Sequence, residues 1–251
     1  MTEVGRRARL LEALGIDHWV PRRTVPSEGA AAAVPASAEV PAPAAVPAAA
    51  ALSAEGVVEA PTGELDWPTL RARVRACRQC ALHRGRTQSV FGSGDRAAEW
   101  MVVGEAPGAD EDRQGEPFVG AAGQLLNAML AAIELPRDTV FVANVLKCRP
   151  PDNRDPLPAE IEQCLPYLHR QVALLRPKII LAVGRVAAQN LLRSEAPLGK
   201  LRGTVHRLDG LNTPVVVTYH PAYLLRSPAE KRKAWEDLKF ARRLYAELAS
   251  G

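Results

Sequence analysis

Residues 100–120 read WMVVGEAPGADEDRQGEPFVG, and this stretch decides both the fold and the position of the site. Its apolar start, Trp100–Val103, is typical of a buried strand, and a helical pattern follows the stretch. The connection between them, Gly104 to Gly120, has seventeen residues. That is more than packing requires, which indicates a functional loop. An acidic solvated loop would explain its carboxylates, but not Phe118 among the glycines.

The composition limits the class of protein. The chain has 251 residues, 47% of them hydrophobic and 24% charged, enough for one sizeable core with appendages. Its net charge of +4 permits a polyanionic partner without requiring one. It contains no apolar run of about 18 residues, so we expect no membrane span. The N-terminus lacks the apolar core of a signal peptide, and we therefore expect a cytoplasmic protein. We also expect a monomer.

Three segments follow from the pattern along the chain. Residues 1–23 predict one amphipathic N-terminal helix. Residues 24–65 predict a disordered linker, because 17 of the 22 residues from 30 to 51 are Ala or Pro. The helix is then either a docking element for a partner protein, which is the prediction we adopt, or a flap that folds back. Residues 66–251 predict the folded domain.

The domain alternates strand and helix patterns. Apolar strand candidates occur at Trp100–Val103, Val140–Leu146, Lys178–Val183 and Val215–Tyr219. Helical patterns separate them at Gln124–Ile133, Ala159–Leu175 and Arg185–Leu192. Such alternation predicts βαβ units around a parallel sheet.

The cysteines form one set of four: Cys77, Cys80, Cys148 and Cys164. Two disulfides are not expected in a reducing cytosol. The first pair has Cys-x2-Cys spacing, which lets two thiolates face one metal, whereas fifteen residues separate the second pair. Four thiolates suit a tetrahedral zinc or a [4Fe–4S] cluster, and the wide second spacing favours iron–sulfur weakly. Four unrelated buried cysteines are the alternative.

Polar and aromatic residues follow the predicted strands, at the edge where ligands bind in open parallel sheets. Asn144 offers an amide that suits a pyrimidine edge, although a buried Asn is equally often structural. His220 can donate to a developing oxyanion or move a proton. Phe118 offers a face for stacking a base, although most Phe residues are core. The convergence of these segments carries more weight than any one residue.

Further residues suggest contact with nucleic acid. Leu224, Leu225 and Arg226 follow the histidine, and an apolar wedge beside a cation is what enters a duplex when a base is extruded. Basic residues after the second strand could hold phosphates or could simply be solvated: Lys147, Arg149 and Arg154.

Several motifs resemble those of the family 4 uracil-DNA glycosylases, which are iron–sulfur DNA-repair enzymes. They occur in the family's order at Gly104–Gly108, Pro117–Gly120, Ala143–Pro151 and His220–Arg226. The resemblance covers about residues 66–246. It implies an α/β fold, in which three α/β/α layers surround a central four-stranded parallel sheet. It also implies that the four cysteines hold a [4Fe–4S] cluster, and that the partner is uracil-containing DNA, single- or double-stranded.

The resemblance also implies roles for site residues. Phe118 would stack on the flipped uracil, Asn144 would read its polar edge, and His220 would stabilise the charge on the departing base. Glu105 and Ala106 would contribute backbone to the pocket, with Glu105 and Glu111 counted with His220 as catalytic residues. Glu111 would lie close to the base or the attacking water.

One departure concerns the carboxylate. The best-known branch of the superfamily carries Gly-Gln-Asp-Pro in this loop, and Ala106 occupies the place of its aspartate. Its role would then pass to Glu111 or Asp112, or be largely dispensed with. A cross-linking subtype carries a Lys-Arg-Arg-Ile-His insertion that this chain lacks, so we expect turnover.

The predicted function is hydrolysis of the N-glycosidic bond of uracil in DNA, leaving an abasic site for base excision repair. Two other classes stay open from the residues alone. An iron–sulfur electron carrier would explain the cysteines but not Asn144 or His220. A non-catalytic metal-bearing nucleic-acid-binding module would explain the basic charge and the thiolates.

Overall fold

The computed structural model describes residues 65–208 and 210–250. The helix predicted for residues 1–23 lies outside this part of the chain, as does the linker predicted for residues 24–65 except for its last residue. The strands are β1 Ser93–Gly94, β2 Trp100–Gly104, β3 Phe141–Asn144, β4 Ile179–Val183, β5 His206–Arg207 and β6 Pro214–Thr218. The helices are α1 Trp67–Ala76, α2 Ala109–Gln114, α3 Ala121–Ala131, α4 Pro158–Leu175, α5 Arg185–Leu192, α6 Leu198–Leu201, α7 Pro221–Arg226 and α8 Lys231–Ser250.

The strands form one sheet in the order β1-β3-β2-β4-β6-β5. The four inner strands are parallel, as the alternation of strand and helix patterns predicts. The edge strands β1 and β5 have two residues each and pair antiparallel with β3 and β6. The predicted four-stranded parallel sheet is therefore confirmed as the centre of a six-stranded mixed sheet. Two-residue strands are too short to leave a periodic signal in the sequence.

Both faces of the sheet are buried. Successive residues of a strand point to opposite faces, and each set packs in an apolar cluster of its own. On β2, Met101 and Val103 join one apolar cluster, and Trp100 and Val102 join the other. Residues of α1, α4 and α5 complete the first cluster, and residues of α3, α7 and α8 complete the second. The result is the predicted three-layer α/β/α arrangement. None of the helices in the described residues is both long and apolar enough to cross a membrane.

The parallel strands end at one edge of the sheet, and their register brings the predicted site residues together. Gly104, the last residue of β2, pairs with Asn144, the last residue of β3. Gly184 follows β4 directly and is the N-cap of α5. His220 lies two residues beyond β6 and is the N-cap of α7. Each inner strand thus places a residue, at its end or just beyond it, at the same edge of the sheet, where a ligand-binding crevice is expected.

Candidate active site

A cavity of about 410 Å³ lies at this edge of the sheet. The loop after β2, the loop after β3 and the start of α7 form its walls. The lining includes every residue predicted to catalyse the reaction or to bind the base: Glu105, Ala106, Glu111, Phe118, Asn144 and His220. The geometry therefore supports their shared location, while the role of each stays a prediction.

Phe118 and Asn144 meet over Gly104. A Cβ at Gly104 would lie 2.4 Å from Asn144 Oδ1 and 2.5 Å from Phe118 Cζ, so only glycine fits there. Phe118 is buried and has a φ of 57°, in the left-handed region that a bulky residue rarely adopts. Such backbone strain is typical of functional sites, where the surrounding structure enforces it. Here it directs the ring into the cavity.

Asn144 is almost fully buried, and its Oδ1 has no hydrogen-bond partner among the described residues. Its backbone is held from behind, because Lys147 Nζ donates to the Asn144 carbonyl at 2.8 Å and to Gln171 Oε1 at 2.7 Å. Burial lowers the pKa of Lys147 to about 8. The side chain of a buried structural Asn is normally hydrogen-bonded. Because Asn144 lines a cavity and its Oδ1 has no partner, a ligand-binding role is favoured.

His220 presents a defined tautomer to the cavity. Its Nδ1 accepts a hydrogen bond from the Ala222 N–H at 3.2 Å, so the neutral ring carries its proton on Nε2. Burial, aided by the positive charge of Arg226, lowers the pKa of His220 to about 4, although Glu111 opposes the shift. At neutral pH the ring is therefore an uncharged N–H donor.

Glu105 is a second perturbed group. Burial and the negative charge of Asp155 raise its pKa to about 7, while Arg185 acts in the opposite direction. The Arg185 guanidinium itself donates to Asp155 at 2.6 Å. A carboxyl group that titrates near neutral pH in a cavity is a candidate acid or base. Neither Asp155 nor Arg185 belongs to a sequence motif from which this effect on Glu105 could be predicted.

The carboxylates of Glu111 and Asp112 accept hydrogen bonds from backbone N–H groups. Glu111 Oε2 accepts from the Gly108 N–H at 3.0 Å, and Oε1 accepts from Val119 and Gly120 at 3.0 and 3.2 Å. These bonds close the loop around Phe118. Asp112 is buried, accepts twice from the Thr87 N–H, and is absent from the cavity lining.

The predicted apolar wedge requires a correction. Leu224 is 1% exposed and packs in the core, whereas Leu225 is 44% exposed. The segment belongs to the helix α7, so successive side chains point in different directions. Arg226 is exposed and lines the cavity, as does Tyr223, which the sequence did not single out.

The predicted phosphate ligands also divide. Lys147 is fully buried and cannot reach a phosphate at the surface, so that prediction is wrong. Arg154 lines the cavity but forms a two-pronged ion pair with Glu160, at 2.6 and 2.9 Å. Arg149 donates to Asn153 Oδ1 at 2.8 Å. Sequence alone could not identify these partners, because they depend on how the loop after β3 folds.

The four cysteines lie in or against one apolar cluster. Cys148 Sγ accepts from Arg86 Nη1 at 2.9 Å, and Cys164 Sγ accepts from the Lys147 N–H at 3.2 Å. Burial raises the pKa of Cys148, and raises that of Cys164 to about 12. Among the described residues, no three His, Cys, Asp or Glu side chains are arranged to hold a metal ion.

Comparison with known proteins identifies the family to which the chain belongs. The family model described as the uracil DNA glycosylase superfamily matches residues 91–239. The type-4 uracil-DNA glycosylase of Archaeoglobus fulgidus is 47% identical over 172 residues, which are 66% of this chain and 86% of that protein. The type-4 enzyme of Pyrobaculum aerophilum is 43% identical over 180 residues, 69% of this chain and 92% of that protein. The type-4 enzyme of Thermotoga maritima is 38% identical over 174 residues, 68% and 90% of the two chains.

Fold, cavity and family match together define a member of the uracil-DNA glycosylase superfamily. Within it, the chain belongs to the type-4 uracil-DNA glycosylases.

Proposed function

We propose that this protein hydrolyses the N-glycosidic bond of uracil in DNA and leaves an abasic site, as a monofunctional glycosylase of base excision repair. The observation that carries the proposal is the unpaired, buried Asn144 beside Phe118 and His220 in one cavity. An electron carrier would have no use for such a cavity. The cytoplasmic location and the monomeric state stay predictions.

Recognition of the base is assigned to Phe118 and Asn144. The Phe118 ring offers a face for the flipped pyrimidine, while Asn144 would pair with its polar edge. Uracil presents an N3–H donor and an O4 acceptor there, whereas cytosine presents an acceptor and a donor. The free Asn144 Oδ1 suits the uracil N3–H. A buried amide left unpaired by the wrong base would give strong discrimination.

Cleavage is assigned chiefly to His220. The C1′–N1 bond breaks with its electron pair on the base, which leaves as an anion while the sugar becomes cationic. A neutral Nε2–H donor directed at the uracil O2 would stabilise this charge as it develops. Because its pKa is about 4, His220 would donate this hydrogen bond without becoming a competing proton source at neutral pH.

Glu105 and Glu111 are given different roles. Glu105, with a pKa of about 7, would stabilise the sugar cation or orient water as a carboxylate. Glu111 already accepts three backbone hydrogen bonds, and would act mainly by fixing the loop that carries Phe118. Ala106 would contribute to the cavity wall through its backbone, in the position where the best-known branch has an aspartate.

The experiment is incubation with a single-stranded oligonucleotide that contains one uracil, followed by alkali. A matched oligonucleotide with thymine is the control. Strand breaks at the uracil position only after alkali treatment support a monofunctional glycosylase. Absence of breaks above a no-enzyme control, with iron-loaded protein, would contradict it.

A [4Fe–4S] cluster is proposed for Cys77, Cys80, Cys148 and Cys164. The proposal is supported by four thiols in or against one apolar cluster and by N–H groups that donate to two of the sulfurs. When bound, the cluster would supply a covalent cross-link between the segment after α1 and the loop after β3. Excision moves no electrons, so we assign it no step in the reaction.

Substitution of Cys148 by Ser tests the cluster. We expect lower iron content, loss of the broad absorbance near ~400 nm and a lower unfolding temperature together. As a control, Ala131, which is exposed at the end of α3, is replaced by Ser, and this change should alter none of these properties. A colourless Cys148→Ser protein of wild-type stability would contradict the proposal.

A further inference from the structure

We propose that an arginine surface around α1 is a second DNA-binding site, which holds the phosphate backbone beside the nucleotide in the cavity. This inference rests on the proposed function. Residues 67–94 contain six arginines and no Asp or Glu. The name arginine surface is used here for Arg71, Arg75, Arg78, Arg84 and Arg86.

Within the described part of the chain, none of these five arginines forms an ion pair with a carboxylate, a property that they share with Arg232 and Arg243 but not with five other arginines. Arg113, Arg154, Arg185, Arg202 and Arg242 each form an ion pair. Arg86 is instead held by the carbonyls of Arg75 and Cys77, and Arg71 lies over the ring of Phe91 at 5.9 Å. Clustered positive charge without internal neutralisation is the electrostatic signature of a polyanion site.

The surface has a groove of about 670 Å³, into which Arg71, Arg75 and Arg86 project. Thr87, Gln88 and Ser89 add hydrogen-bonding groups to its lining, as suits phosphate oxygens. The lining includes one carboxylate, that of Glu116, whose charge interacts with Arg137. The groove is therefore predominantly cationic and polar.

The groove and the catalytic cavity share one loop. Gln114, Gly115 and Glu116 line the groove, while Glu111 and Phe118 on either side of them line the cavity. Thr87 in the groove is tied to this loop, because its N–H donates to both carboxylate oxygens of Asp112, the neighbour of Glu111. The segment that lines the cationic groove therefore ends two residues before Phe118, beside which the base of a bound DNA strand would be inserted.

The test compares the double variant R71Q/R75Q with R232Q/R243Q. Both remove two exposed arginine charges from helices, and Gln has nearly the helix propensity of Arg. Binding of a fluorescent thymine oligonucleotide of about 25 nucleotides is measured by anisotropy at several salt concentrations. Because no uracil is present, the result does not depend on excision.

We expect R71Q/R75Q to weaken binding about tenfold at low salt and to reduce the slope of log Kd against log salt by about 1.4, since each single-strand phosphate contact contributes about 0.7. On a uracil oligonucleotide KM should rise while kcat stays within about twofold. R232Q/R243Q should match the wild type. Equal Kd and slope in the two double variants would overturn the proposal, provided that iron content and unfolding temperature are unchanged. Should R71Q/R75Q fail to fold, R71Q alone is compared with R232Q.

A separate observation concerns Tyr223, and from it we infer a platform on which a base flanking the uracil stacks. Tyr223 lines the cavity and is 38% exposed. One face of its ring stacks on Tyr219, with centroids 5.2 Å apart and 22° between the planes. An exposed aromatic at the rim of a nucleotide cavity provides a stacking surface for any base.

The platform is supported from behind by a buried ion pair. Arg202 lies over the Tyr219 ring at 4.4 Å and pairs with Asp237 at 2.7 Å. Asp237 also accepts from Thr218 Oγ1 at 2.8 Å, at the end of β6. An ion pair this buried gains little net free energy, so its benefit lies in fixing Tyr219 and, through it, Tyr223.

The test uses Tyr223→Ala, Tyr223→Phe and the control Trp235→Ala, an aromatic on α8 that is 39% exposed and absent from the cavity lining. Uracil oligonucleotides carry 2-aminopurine directly 5′ or 3′ of the uracil, and stacking quenches its fluorescence. With excess enzyme, we expect quenching on one side with the wild type, Tyr223→Phe and Trp235→Ala. Tyr223→Ala should abolish the quenching, and its kcat/KM should be about tenfold lower than that of the wild type. Undiminished quenching in Tyr223→Ala would overturn the inference.

Discussion

The rings of Phe118 and His220 lie 5.6 Å apart, centroid to centroid, with 32° between their planes. Each ring is positioned by a glycine at the end of a different strand. Gly104 leaves room for Phe118, and a Cβ at Gly184 would lie 3.0 Å from His220 Cβ. The positions of both rings are therefore fixed by the ends of the strands.

Replacement of Gly104 by Ala should strongly reduce excision while leaving the domain folded. The added Cβ would collide with both Asn144 Oδ1 and Phe118 Cζ, which would displace the two side chains that we propose to bind the base. We expect kcat/KM to fall by about 10²-fold or more. Gly199→Ala is the control, because nothing lies within 4 Å of its added Cβ. Comparable activity of the two variants would contradict this account of the cavity wall.

Asn144→Asp tests whether Asn144 reads the base. The change replaces the amide donor with a second acceptor, which repels the uracil O4 and can accept from the cytosine amino group. We expect uracil excision to fall by about 10²-fold, with some gain of cytosine excision. Both are measured on oligonucleotides that differ only at the target base. Unchanged uracil kinetics would show that Asn144 is structural.

His220→Ala should reduce kcat by about 10²- to 10³-fold, the range found when an oxyanion donor is removed. It also removes the N-cap of α7, where His220 Nδ1 accepts from the Ala222 N–H. His220→Asn retains a capping side chain, so it should keep stability while losing most of the rate. Single-turnover kinetics and thermal unfolding of both variants separate the two effects. Wild-type kcat in either variant would contradict the assigned role.

Glu105→Gln should change the pH dependence of the reaction. With a pKa of about 7, the Glu105 carboxylate forms as the pH rises through neutrality. If the carboxylate stabilises the sugar cation, kcat/KM of the wild type rises through this range. The variant should be slower and show a flat profile from about pH 5.5 to 8, because His220 with its pKa of about 4 stays neutral throughout.

The same substitution carries a stability signature of known sign. A carboxyl group whose folded pKa is raised binds more protons in the native state than in the unfolded state between its usual pKa and about 7. The free energy of unfolding of the wild type therefore falls as pH rises through this window. Glu105→Gln should unfold at a higher temperature than the wild type at pH 8, and the difference should shrink toward pH 5. The reverse order would contradict the burial of this charge.

Sequence patterns were sufficient to predict most of the architecture. The four inner strands follow from runs of β-branched residues separated by helical periodicity, and their observed bounds differ from the predicted ones by at most two residues. Asn144 and His220 could be expected at one edge because parallel strands end on the same side. The edge strands β1 and β5, of two residues each, gave no such signal.

The failures share a cause, which is that a sequence does not reveal which side chains find partners across the fold. Lys147 resembles a phosphate ligand in sequence, but it is buried against the Asn144 carbonyl. Leu224 and Leu225 are adjacent, yet helix α7 buries the first and exposes the second. Tyr223 could be recognised as a candidate site residue only from its stacking on Tyr219 in the structure.

The most direct test of the central claim measures both products of one reaction. Iron-loaded protein is incubated with a uracil oligonucleotide, free base is quantified by chromatography, and abasic sites are quantified as strand breaks before and after alkali. The account predicts free uracil and alkali-dependent breaks in equal amounts, an intact strand before alkali, and neither product from the thymine control. No free uracil above the no-enzyme level, or breaks that form without alkali, would contradict it.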